Sequence, residues 1–189
     1  MTGQSTIANE TLGKRIEILR ESLSGLVRLA VLVHPDNQVV DQIKLVSEVA
    51  GPLGVEIIPL RANNRQELDA ALARLPATQA QALLTVNSPL FYSERDRVIR
   101  AATGARLPSM HPEREFVEAG GLLAYGIDFS ALWQRTGTYV SRILSGQKPG
   151  DLPIEQPTKF VLTINLKTAK TLGLVIPPGV LTQADEVIE

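Results

Sequence analysis

Between Val27 and Gly126 the chain repeats one pattern: a short, nearly all-apolar, β-branched run, a polar loop, then an amphipathic stretch of helical period. No other feature narrows the possible folds so far. The runs are Val27–Val33, Val55–Leu60, Gln81–Val86, Leu107–His111 and Leu122–Gly126. Runs this short and this apolar suit strands buried on both faces of a parallel sheet. Between them, Val39, Ile43, Val46 and Val49 share a helical face over 38–53. So do Leu68, Ala71, Leu72 and Leu75 over 64–75, and an Arg-rich helix is predicted over 93–103. Units of β then α, each about 25 to 30 residues long, predict α/β architecture with right-handed crossovers. Five strands make a lobe of flavodoxin-like size.

Flanking this core, Leu12, Ile16, Leu19 and Leu23 form one face of a helix over 6–23, with Lys14, Arg15, Glu17 and Arg20 assigned to the other side. After Gly126, a helix is predicted over 130–144, with Ser130 as a cap and Gly146 as a stop. A Pro-containing linker follows. Then comes a strand at Phe160–Ile164 and a helix capped by Asn165.

Composition excludes several function classes. Nineteen basic and twenty acidic residues give a net charge of −1, which supplies no basic stripe for nucleic acid. There is no cysteine, so neither a disulfide framework nor thiolate chemistry is available. No apolar run approaches the roughly 18 residues of a membrane-spanning helix. MTGQSTIANE has neither the basic nor the apolar region of a leader peptide. The chain taken as written is therefore expected in the cytoplasm. Motifs for a serine-hydrolase elbow, a phosphate loop, a zinc protease and a dinucleotide fold are absent. His34 and His111 have no partner at metal-ligand spacing. No cofactor is expected, and no catalytic residue is assigned.

In open α/β sheets, ligands sit beyond the carboxyl ends of the strands, where the strand order reverses. Four exit loops qualify: 34–37, 87–91, 111–115 and 125–129. Their candidate ligand residues are Asp36, Asn37, Asn87, Ser88, Glu113, Tyr125 and Asp128. Asn87 and Ser88 offer hydrogen bonds, while Tyr125, Phe91 and Tyr92 offer flat apolar surface. Asp128 or Glu113 could pair with an amino group. Backbone N–H groups after Asn37 and Ser88 could hold a carboxylate. Most of these residues also have a structural alternative: Asp36 or Asn37, Asn87-Ser88-Pro89 and Asp128 as helix caps, and Tyr125 as core or sheet edge. Trp133, with Tyr139 and Leu144, is assigned to packing, and Arg95, Arg97 and Arg100 to a solvated face.

The stretches EFVEAGGLLAYGIDFSALW (115–133) and RILSGQKPGDLPIEQPTKFVLTINLKTAKTLGLVIPP (142–178), in that order and spacing, resemble the tryptophan/tyrosine-type substrate-binding proteins of bacterial ABC transporters. GKRIEILRESLSGLVRLAVLVHP (13–35) is similar to the point where that family's chain enters its second lobe, and the resemblance extends over 2–189. It implies a two-lobe periplasmic-binding-protein-like fold that closes on a small solute and hands it to an ABC permease. Family members are longer, with a leader and a complete first lobe ahead of this segment. The implied organisation is therefore 1–128 as the second α/β lobe, 129–158 as a crossover helix and linker that would pack on a first lobe, and 159–189 as a strand and helix returning to the second. It also implies a periplasmic or lipid-anchored location.

On that reading Leu132, Trp133, Tyr139 and Ile143 would lack partners within 1–189. The 130–144 helix would then repack, promote a homo-oligomer or favour aggregation. Three function classes stay open: solute binding for an importer, an autonomous sensing or self-associating lobe, and a small α/β enzyme using His34, His111 and Glu113.

Overall fold

A computed structural model describes residues 3–4, 11–34, 42–155 and 159–189. In chain order the elements are β1 (Gly3–Gln4), α1 (Thr11–Ser22), β2 (Arg28–Val33), α2 (Gln42–Ala50), β3 (Glu56–Arg61) and α3 (Arg65–Ala73). A 3-10 turn at Leu75–Thr78 leads to β4 (Ala82–Thr85), α4 (Pro89–Ser93), α5 (Arg95–Gly104), β5 (Ser109–His111), α6 (Arg114–Glu118) and β6 (Leu123–Ile127). Then follow α7 (Phe129–Leu144), a 3-10 turn at Pro149–Asp151, β7 (Ile154–Glu155), β8 (Phe160–Asn165), α8 (Leu166–Leu172), α9 (Pro178–Leu181) and β9 (Glu186–Ile188).

Seven strands form one sheet in the order β3-β2-β4-β5-β6-β8-β9. All neighbours in it run parallel except β6 and β8, which pair antiparallel from Leu123↔Ile164 to Ile127↔Phe160. The five apolar runs read from the sequence are β2 to β6, each within two residues of its expected start. The short strand β9, the helices α6 and α9, and a separate two-stranded parallel pair of β1 with β7 carry too little pattern to be predicted. Isolated runs of two to five residues lie below the length at which periodicity is a signal.

The central strands show why the runs are so apolar. Leu29 to Val33 of β2 and Ala82 to Thr85 of β4 are all buried. Helix α1 packs with α2 and α9, while α3, α5 and α6 pack in a row. These two groups cover the two faces of the sheet. Caps at both ends of the fold follow from local chemistry. Asn64 Oδ1 accepts from the Glu67 N–H at 2.9 Å at the start of α3, and Asn165 Oδ1 accepts from the Thr168 N–H at 2.9 Å at the start of α8. Gly173 closes α8 at φ 72°, a left-handed position that glycine fills without strain.

The sequence assignment of Arg15 is overturned. Arg15 is not on the solvent side of α1; it is 1% exposed, among the largest fully buried side chains. Thr11, Leu12, Arg15, Ile16, Ile18, Leu19 and Ser22 are all buried. Leu12 and Leu19 lie three residues before and four after Arg15, so the arginine shares their stripe. A helix covered by both the sheet and neighbouring helices buries more than the narrow apolar line that the leucines mark.

Candidate functional site

The chain leaves β2 outward to β3, then returns across β2 to β4 and continues outward through β5 and β6. The order therefore reverses between β2 and β4, and the carboxyl ends there are the expected ligand position. The loop after β2 carries Asp36 and Asn37, which lie outside the described residues. The other exit loops converge. Asn87 and Ser88 follow β4, 112–115 follow β5, and Asp128 and Phe129 follow β6.

Two adjoining clefts open there. One, of about 480 Å³, is lined by Asn87, Ser88, Tyr92, Glu113, Phe129 and Trp133, with Pro89 and Glu115. The other, of about 420 Å³, runs from Glu113, Glu115 and Phe129 past Asp128 and Lys159 to Asp185 and Glu186. Both volumes lie in the range of small-molecule sites. Glu113, Glu115 and Phe129 border both.

A hydrogen-bonded chain forms the floor. Arg15 Nε donates to the Tyr125 carbonyl at 2.7 Å, and Arg15 Nη1 donates to Asn87 Oδ1 at 3.2 Å. Asn87 Nδ2 donates in turn to Glu113 Oε1 at 3.1 Å. Arg15 thus ties the exits of β4 and β6 together from beneath and, through Asn87, reaches the exit of β5. Burial lowers the Arg15 guanidinium to about 10, against the opposing pull of Glu113, and it stays charged at neutral pH. Burial likewise pushes the Glu113 carboxyl up to about 7; Arg15 and the Asn87 hydrogen bond only partly offset this, and Glu115 adds to it. Gly126 is held by contact: a Cβ there would collide with the Pro112 carbonyl. Closure of β6 against the β5 exit therefore requires glycine.

The remaining candidates take different places. Ser88 is buried, and its Oγ has no hydrogen-bond partner. Asp128 bonds Lys159 Nζ at 2.8 Å. The Tyr125 ring stacks on Phe160, with centroids 5.9 Å apart, while its carbonyl serves Arg15. Phe91, expected as ligand surface, is fully buried and belongs to the core, whereas Tyr92 lines the cleft. Trp133, assigned to packing, is 68% exposed and lines the same cleft. Arg15 was missed as a floor residue because a cation on a helix reads as solvated.

His111 is sealed in the core. Its ring stacks on Phe116 at 4.5 Å, its Nδ1 faces Thr85 Oγ1 at 3.1 Å, and its Nε2 is unpartnered. Burial, then Arg15, depress it to about 3, so it is neutral at physiological pH. His34 packs edge-on to Phe91 at 6.2 Å. Among the described residues, no group of three or more metal-ligating side chains is assembled, and no helix is long and apolar enough to cross a membrane.

A mostly parallel α/β lobe with its cleft at the carboxyl edge defines the class: a periplasmic-binding-protein-like fold. More narrowly, residues 1–188 match the family described as ABC transporter substrate binding protein, and the chain belongs to it. That family is one of binding proteins rather than enzymes. Solved structures agree on the fold. A conserved domain protein from Vibrio cholerae O1 biovar El Tor is 25% identical with a TM-score of 0.86, over 98% of this chain and 62% of that one. An ABC domain from Streptococcus pneumoniae in complex with L-Trp is 22% identical with a TM-score of 0.86, over 99% and 64%. A ligand-free, open substrate-binding protein with adhesive properties from Clostridium difficile is 21% identical with a TM-score of 0.69, over 99% and 62%. The chain thus spans less than two thirds of the length of each. No curated protein sequence matches it.

Proposed function

We propose that this chain supplies the solute-gripping lobe of an ABC importer's binding protein, taking a small solute such as an amino acid and delivering it to a permease outside the cytoplasm. One observation carries this reading. The exits of β4, β5 and β6 meet in a cleft of about 480 Å³ that combines hydrogen-bonding groups (Asn87, Ser88), a carboxyl (Glu113) and flat apolar walls (Tyr92, Phe129, Trp133). That mixture suits a small amphipathic molecule. Residues 1–128 are the lobe, 129–158 the crossover that faces a second lobe, and 159–189 the return. Hinged closure of two such lobes is a known way to couple binding to a membrane partner.

Aromatic amino acids are the first solutes to test, since the Streptococcus pneumoniae neighbour holds L-Trp. Titration calorimetry against an amino-acid panel is expected to give at least one hit. Asn87→Ala should weaken it by about 1–2 kcal/mol, because the substitution removes a contact and loosens Glu113. A full panel without heat would sink the reading.

A further inference from the structure

The cleft takes part of its chemistry from a residue that does not line it. Arg15 is buried on α1, which packs against β5 and β6 beneath the carboxyl edge. Among the described residues that wall the two clefts, Arg15 is not one. Its Nη1 donates to Asn87 Oδ1 at 3.2 Å, and Asn87 Nδ2 donates to Glu113 Oε1 at 3.1 Å. The direction of this chain is forced. A guanidinium carries donors and no acceptor, so it takes only the oxygen end of an amide. Turned over, the Asn87 side chain would set its NH2 against the guanidinium and its oxygen against a Glu113 oxygen. Arg15 has no room to swing aside for that turn. Its Nε is tied to the Tyr125 carbonyl at 2.7 Å, and its Nη2 lies 3.6 Å from where a Gly126 Cβ would sit.

We infer that Arg15 is a positioning residue for solute capture: by holding the Asn87 oxygen from behind, it leaves Asn87 only N–H to offer the cleft, and so selects a hydrogen-bond acceptor on the solute at the β4 exit. This rests on the solute-binding reading above and deepens it. An asparagine amide has two Nδ2 hydrogens. One goes to Glu113, and the other remains for the cleft that Asn87 lines. Ser88 beside it has a hydroxyl with no hydrogen-bond partner, which turns to donate or accept as the solute requires. Asn87 is thus the group at that exit whose polarity is fixed, and the fixing comes from α1.

A merely structural role would show itself differently. Arg15 also joins the exits of β4 and β6, so its loss lowers the stability of the lobe whatever the cleft does. Affinity separates the two roles. If Arg15 acts on the solute through Asn87, the two residues are one unit, and removing the second after the first weakens binding no further. If Arg15 only braces the lobe, the two losses of affinity are independent and multiply.

Two measurements on the full chain decide this. The first needs no solute. By NMR, the Asn87 side-chain NH2 is expected to exchange with water more slowly than that of the exposed Asn63. Arg15→Met should speed its exchange about tenfold as the amide is released, and Arg15→Lys, which keeps a cation and a donor, by less. Circular dichroism checks that each variant is folded. Should Arg15→Met unfold, Arg15→Lys and the unsubstituted chain carry the measurement. Asn87 exchanging as fast as Asn63 in the unsubstituted chain, or unchanged in a folded Arg15→Met, would overturn the inference. The second measurement is calorimetry with L-Trp and the rest of the amino-acid panel. For a member that binds, Asn87→Ala and Arg15→Met should each weaken affinity about tenfold, and the double variant about tenfold rather than a hundredfold. Arg15→Lys should recover part of the loss. Losses that multiply, or an Arg15→Met chain that binds as the unsubstituted one does, would overturn the inference and leave solute binding standing. A panel in which nothing binds would remove the solute-binding reading, and the exchange rates would still decide whether Arg15 orients Asn87.

Discussion

Helices α1 and α7 are both amphipathic by sequence, and the molecule treats them in opposite ways. Helix α1 buries a cation: Arg15 lies beneath the sheet's carboxyl edge, bonded to Tyr125 and Asn87. Helix α7 exposes apolar groups: Trp133 at 68%, Val140 at 50% and Leu144 at 83%. Among the described residues, no strand or helix packs broadly on α7. Tyr139 is the exception on that helix. Expected to lack a partner, it is buried and donates to the Pro153 carbonyl at 3.0 Å. The contrast teaches that a helix's periodicity marks which residues share a face. It does not say what covers the face or how widely.

The comparison can be broken most directly at Arg15. Replacing it with methionine keeps the volume and removes the charge, leaving the Tyr125 carbonyl, Asn87 and Glu113 without their cation. A loss of about 3–5 kcal/mol in urea unfolding is expected. A loss under 1 kcal/mol would mean that the floor does not depend on α1.

A smaller effect, with a defined pH window, is expected at Glu113. Its carboxyl titrates at about 7 in the folded chain, against an ordinary value of 4.5. Between those values folding takes up a proton, so stability is greatest below 4.5 and declines as pH rises through 7. Glu113→Gln carries no charge to desolvate. It should match the unsubstituted chain near pH 4 and exceed it at pH 8 by an amount on the order of 2 kcal/mol. His111 runs the other way, its stability being present above 6.5 and lost as pH falls toward about 3. It is common to both chains and cancels in the difference. A pH-independent difference between them would remove Glu113 from the buried floor.

The least effect is expected on α7. Leu144→Gln should change stability by less than about 0.5 kcal/mol, because the side chain has little to lose. Tyr139→Phe, on the same helix, should cost about 1 kcal/mol for its hydrogen bond. Thermal melts of both would check the division of α7 into a held turn and an uncovered surface. A costly Leu144→Gln would show that a partner covers it.

Much of this was legible in the residues. The apolar runs at 27–33, 55–60, 81–86, 107–111 and 122–126 determine the five parallel strands, because a strand covered on both faces has no use for polar side chains. Asn64 and Asn165 mark helix starts through chemistry confined to one turn. The exit loops followed from strand positions alone, and they led to Asn87, Ser88, Glu113 and Asp128 at the cleft. What sequence could not give was anything requiring two distant segments at once. Residues 15 and 125 meet through Arg15 and the Tyr125 carbonyl. The antiparallel seam of β6 with β8, the seclusion of His111 and Phe91, and the exposure of Trp133 are likewise long-range. Local pattern reports the chain's preference for water or core, which is a property of each segment. Whether a buried arginine finds acceptors, or an exposed tryptophan finds cover, is a property of pairs of segments, and only the tertiary structure brings such pairs together.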